Sequence, residues 1–153
     1  MPDLLAGSII RALDFTPAVF DTQNDQFNCT NTTYGEGFTA GTYIQCAVVF
    51  VAPTSGRVEI TYNANLDNAI TTASTSVAPH VREGNVAGSG ADVEVPSLST
   101  ADRNVGDDDR RYAASLALGG LTPGDSYNAV LEHRVSGNTG SIQYRHLIAK
   151  PLP

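Results

Sequence analysis

Tryptophan is absent from the 153 residues, lysine and methionine occur once each, and there are two cysteines. Charged residues make up 16% of the chain, against roughly 25% in an average domain. The scarcity of bases decides most. Eight arginines and Lys150 face sixteen acids, for a net charge of −7. That leaves no basic patch for nucleic acid or an anionic membrane surface. No run approaches the 18 or so apolar residues of a membrane span, and Met1-Pro2-Asp3 lacks the basic start of a secretory signal. A bridge between Cys29 and Cys46 would close a loop worth about 3 kcal/mol. Without a signal segment, two buried thiols are the simpler expectation, and with no third cysteine or adjacent histidine they make no zinc site. A chain of this length hides roughly 70% of the surface its unfolded form exposes. It needs neither metal nor disulfide to fold.

Thr, Ser, Asn and Gly take the place of the missing charge, and the recurring pattern is strict alternation, which points to strands. Val58, Ile60, Tyr62, Ala64 and Leu66 alternate with Arg57, Glu59, Thr61, Asn63 and Asn65, the mark of a half-buried antiparallel strand. Tyr43 to Val51 is apolar on both parities and predicts a strand covered on both faces, centrally or by a neighbouring subunit. Ala52-Pro53-Thr54-Ser55-Gly56 joins the two as a compact turn. Later strands place Tyr112, Ala114, Leu116 and Leu118 on one face, then Tyr127, Ala129, Leu131, His133 and Val135, then Ile142, Tyr144, His146 and Ile148. Weaker candidates are Ser8–Leu13, Ser76–Arg82 and Ala91–Val95, and the best place for a turn of helix is Ser99–Asn104. Eight or so strands with Gly and Pro punctuation predict a sandwich or barrel.

Two local features go further. If Gly137 to Gly140 closes a hairpin, Val135 opposes Ile142, His133 opposes Tyr144 and Leu131 opposes His146. Both apolar parities then share a face, with His133 and His146 as diagonal neighbours. Leu121-Thr122-Pro123-Gly124-Asp125-Ser126-Tyr127 is similar to the tyrosine corner of Greek-key sandwiches, in which the phenol bonds back to the inter-sheet connection.

Candidate chemistry is thin. Asp107, Asp108 and Asp109, with Asp102 nearby, could hold calcium, but the spacing is not that of an EF-hand and Arg110 and Arg111 follow at once. A solvated, partly self-neutralised loop is the plainer reading. His133 and His146 could bind metal about a symmetry axis or titrate as a switch; on an apolar parity, core or interface histidines are the commoner case. Asn28 and Asn31 open two glycosylation-type triplets, expected by chance in so Asn- and Thr-rich a chain. No nucleophile elbow, phosphate loop or His-Glu-x-x-His is present. Glu59, Glu83, Glu94 and Glu132 carry nothing that argues for a glycosidase pair. No catalytic residue, cofactor or resident metal is expected.

Several stretches together resemble a family of short virion proteins from phages of actinobacteria: Ala6 to Phe15, Val48 to Val58, Leu121 to Tyr127, His133 to Gly137 and Gly140 to Ile142. They cover about a quarter of the chain, and 65–103 matches nothing in that family. The resemblance implies a jelly roll like that of tumour necrosis factor and the complement globular head. It further implies a homotrimer and a place on the capsid or tail as decoration, minor tail or fibre component. The expectation is therefore an all-β, antiparallel jelly-roll (Greek-key) β-sandwich, trimeric and non-enzymatic, with 1–16 as an arm or first strand and 17–153 as one domain. Low charge fits burial against copies of the chain, with Tyr43, Val49, Val51, Tyr62, Tyr112, His133, Tyr144 and His146 as interface residues. Partners are expected to be the chain itself, other capsid or tail proteins and a host surface glycan, with location in the virion and neither nucleic acid nor membrane insertion. Alternatives are a receptor- or carbohydrate-binding module and a fibronectin-type-III-like accessory domain.

Overall fold

The computed structural model describes residues 16–153. The expected arm over 1–16, apart from Thr16, and the strand at Ser8–Leu13 lie outside the described residues. Ten strands follow: β1 Val19–Cys29, β2 Ala40–Gly41, β3 Ala47–Val51, β4 Val58–Asn68, β5 Ser74–Glu83, β6 Asp92–Glu94, β7 Asp102–Val105, β8 Arg110–Leu118, β9 Ser126–Val135 and β10 Gly140–Pro151. Among the described residues there is no helix. The expected helical turn near Ser99–Asn104 is a turn running into β7.

The strands form two antiparallel sheets. The front sheet has the order β2-β1-β10-β4-β8; the back sheet has β3-β9-β5-β6, with β7 also paired to β5. The chain changes sheet at β2–β3, β3–β4, β4–β5, β7–β8, β8–β9 and β9–β10, and β1 pairs with β10. This is the double-sheet wiring of a jelly roll. It is not that of a fibronectin-type-III-like domain, where the first strand does not lie beside the last, and that alternative is set aside.

Alternation builds the core as expected in β4, where Val58, Ile60, Tyr62, Ala64 and Leu66 are buried and every intervening residue is partly open. They meet Leu131, Ala129 and Val135 of β9, Val77 and Val81 of β5, and Phe27, Ile142 and Leu147 of the front sheet. The tyrosine corner forms: Thr122 N–H donates to the Tyr127 hydroxyl at 3.0 Å, at the crossing from β8 to β9. The turn after β3 also forms, with Gly56 N–H donating to Pro53 O at 2.9 Å. Gly56 sits at φ 64, and a Cβ there would lie 2.5 Å from the Leu121 carbonyl oxygen. Only glycine lets these two crossings pass so closely.

Three expectations are overturned. First, Tyr43–Val51 is not central: the chain itself does not cover it on both faces, and cover by a neighbouring subunit stays an expectation. β3 lies at the edge of the back sheet, paired only with β9, and Val49 and Val51 are 40% and 43% exposed. The strands buried on both faces are β9, which lies between β3 and β5, and β5 itself over Ser74–Val81.

Second, β9 and β10 make no hairpin, because they belong to opposite sheets. Their connection is an arch, tied by Ser136 N–H to Ser74 O and by Ala69 N–H to Thr139 O. Gly140 packs where any side chain would strike Thr75 and Val135. Hairpin and arch both need a short Gly-rich link, so the link alone does not tell them apart.

Third, the parity of β10 reverses along its length. Ile142 points inward, but the register slips by one residue beside Tyr144, whose φ is 53. Such a bulge re-aims every side chain beyond it. Arg145, Leu147 and Ala149 are buried; Tyr144, His146 and Ile148 face outward.

Candidate interaction faces

The bulge turns Arg145 into the sandwich, where it is fully buried. Its Nη2 donates to both oxygens of Asp25 at 2.7 Å and to the Ile44 carbonyl at 2.6 Å. The guanidinium also stacks over the rings of Phe27 and Tyr43, at 4.8 and 4.9 Å. Asp25 in turn accepts from Ile44 N–H, and Asp21 from Ala47 N–H, both at 2.9 Å. Tyr43 donates to Glu36 at 3.0 Å, and burial followed by the Glu36 charge pushes its phenol well up. This buried ion pair pins residues 43–47 to β1 and β10. The two charges match each other, while Arg145 Nε and Nη1 have no hydrogen-bond partner.

The outer face of the back sheet carries polar groups, and the chain covers them itself. His80 Nε2 meets Asp92 Oδ1 at 2.7 Å and Nδ1 meets Glu132 Oε1 at 2.8 Å, while Arg82 donates to Glu132 at 3.1 Å. Asn128, fully buried, accepts from Gly88 N–H and donates to Ser89 O, both at 3.0 Å. Tyr34 donates to Ser97 O at 3.3 Å and lies under the Arg134 guanidinium. Segments near Tyr34 and from Gly84 to Ser97 thus close over β5 and β9.

Among the described residues, the outer face of the front sheet has no such cover. Register aligns Phe20, Ile148, Thr61 and Ser115 in one row across β1, β10, β4 and β8, and Thr22, His146, Asn63 and Ala113 in the next. Phe20 is 76% exposed and Tyr144 46%, with Ile148 also exposed. The charges on this face sit around those rows. Lys150 and Glu59 pair loosely at 3.9 Å at one end, Asp67 lies near the other, and Arg111 bends over to Asn63 Oδ1 at 3.0 and 2.9 Å. His146 Nδ1 lies 3.3 Å from Thr22 Oγ1, and its ring is held below the usual histidine range by partial burial and then by Arg111.

The expected interface residues therefore scatter. Tyr62 and His133 are inside the sandwich, beyond a partner's reach, and Tyr43 belongs to the Arg145 cluster. His133 Nε2 donates to Gly37 O at 2.7 Å, and burial holds the ring neutral-leaning, below its ordinary value. Val49 and Val51 open on the back sheet, Tyr112 lies at the β8 edge on the core parity, and only Tyr144 and His146 belong to the bare front face. His133 and His146 are not neighbours. Asp108 pairs with Arg110 at 3.3 Å and Asp109 accepts from Asn65 at 3.2 Å. No three His, Cys, Asp or Glu side chains gather at one point among the described residues. Cys29 and Cys46 are free and buried, and burial pushes both thiols up to about 12. Arg145, Asp25, His80 and Asn128 escaped the sequence reading. Their only trace was an arginine set among Ile142, Leu147 and Ile148.

No protein-family model matches the chain, and no curated protein matches it. Among solved structures it is similar to Eiger TNF from S. frugiperda, at 9% identity over 90% of this chain and 93% of that one, with a TM-score of 0.45. It is also similar to a subunit of Bacillus endospore appendages, described as disulfide-linked pili, at 14% identity over 97% of this chain and 100% of that one, with a TM-score of 0.30. Neither description names a phage, and neither likeness says what this chain binds.

Proposed function

We propose that the chain is a non-enzymatic structural module that packs against copies of itself through the outer face of the front sheet. The copies close as a homotrimer and serve as a virion component on capsid or tail. The observation that carries the reading is the bare face itself: two aligned rows of uncharged side chains with Phe20 and Ile148 exposed. Interface cores are depleted in charge and enriched in aromatics in this way. Four long strands about 4.8 Å apart and about nine residues each span roughly 600 Å². That approaches the roughly 800 Å² each partner contributes to a standard interface. Arg82, Arg145 and Lys150 each meet a carboxylate of the chain itself, which fits a scaffold. Sedimentation at micromolar concentration tests self-assembly: three times the 16.1 kDa of the chain is expected, and a monomer overturns it. Antibody labelling of particles tests the virion role, which unlabelled particles would refute.

A second reading rests on Tyr144. Tyr144, a non-glycine residue at φ 53 with an exposed ring, follows Gln143, whose backbone pairs with Gln26 and Asn65. Backbone strain of this kind is concentrated at binding sites, and an exposed aromatic ring near amide residues suits a neutral host glycan. Saturable binding on a glycan array that Tyr144→Ala abolishes would favour this reading over scaffolding.

A further inference from the structure

We propose that His146 makes assembly through the front face acid-sensitive: its protonation drives the copies apart. This rests on the self-assembly reading above and assigns that face its regulation. His146 stands in the second uncharged row, between Thr22 of β1 and Asn63 of β4. The groups that face it from each element offer no carboxylate. β1 presents the Thr22 hydroxyl; β4 presents Asn63, with Glu59 drawn to Lys150 at one end and Asp67 at the other; β8 presents Arg111, already bent over Asn63; β10 itself adds the neutral Tyr144. A proton on the ring would thus place a second cation beside Arg111 with no anion to meet it.

A homotrimer repeats the change in every copy, and each new imidazolium is then held beside Arg111 on a surface from which water has been removed, where a charge without a partner is strongly disfavoured. Burial and Arg111 already disfavour the charged ring in the free chain, so the assembled state stays neutral until the solution is clearly acid.

The test is sedimentation of the wild-type chain and His146→Asn at about pH 8 and about pH 5. The expected result is wild-type association weakened about tenfold or more at the lower pH, with His146→Asn assembled at both. Wild-type chain equally assembled at both pH values overturns the inference and leaves self-assembly standing. A wild-type monomer at pH 8 overturns both. Equal acid dissociation of wild type and variant overturns the inference by assigning the effect to other groups. Should the variant fail to assemble at pH 8, NMR titration of the wild-type His146 ring decides: a midpoint coincident with dissociation supports the inference and a separate midpoint refutes it.

Discussion

The two sheets have outer faces of opposite character. On the back sheet, Asn128, His80 and Glu132 are polar and yet buried, because the chain folds its own segments over them. On the front sheet, Phe20 and Ile148 are apolar and yet open. The His80 ring, held between Asp92 and Glu132 under a cover of its own chain, has partners on both nitrogens. The row of Phe, Ile, Thr and Ser has no such cover among the described residues, and exposed apolar patches of this kind mark contact surfaces. Polarity read along a strand says little here; what lies on top decides.

The contrast can be broken most severely where the bulge divides it. Arg145 and Tyr144 are adjacent, one turned in and one out. Arg145→Ala strands the Asp25 carboxylate in the interior and should cost about 3–5 kcal/mol in urea unfolding, whereas Tyr144→Ala should fall within about 1 kcal/mol. Equal effects would mean that the bulge does not separate them.

Matched positions on the two outer faces come next. Asn128→Ala leaves the Gly88 N–H and Ser89 carbonyl unpaired and should cost about 2 kcal/mol, with faster hydrogen exchange through Gly84–Ala91. Asn63→Ala on the open face should stay within about 0.5 kcal/mol. Phe20→Ser should leave the melting temperature of the free chain nearly unchanged yet weaken association by about tenfold, read by sedimentation. A large loss of folding stability would show that Phe20 packs within its own chain.

The last effect is in pH. Burial raises the Asp102 carboxyl from 3.8 to about 6. Between those values the folded chain holds a proton that the unfolded chain has released. Its contribution to stability is therefore present at about pH 4 and is lost as pH rises through about 6. His133, lowered by burial, acts oppositely, with stability present above 6.5 and lost as pH falls below it. Asp102→Asn should remove the first slope alone, and denaturation curves from pH 4 to 7 that keep it would reject this assignment.

Much of the fold was readable beforehand. β4 follows its alternation residue for residue, Tyr127 forms its corner, and Ser76–Arg82 and Ala91–Val95 fall within or around β5 and β6. β1 was missed, since Asp21, Gln23 and Asp25 fill its inward parity with polar groups. The interaction faces were half readable. His146 and Tyr144 were singled out, but as partners of a hairpin that does not exist, together with Tyr62 and His133, which are core residues.

Alternation has a period of two and depends only on neighbours along the chain, so the sequence by itself determined that this protein is built of strands and which side of most of them is apolar. Which strands pair depends on contacts between residues far apart in sequence. The tertiary structure alone therefore decided that β10 lies beside β1 and β4 rather than β9. One extra residue beside Tyr144 reverses every side chain after it, and no local pattern announces it. That single bulge buried Arg145 and turned His146 and Ile148 to the outer face of the front sheet.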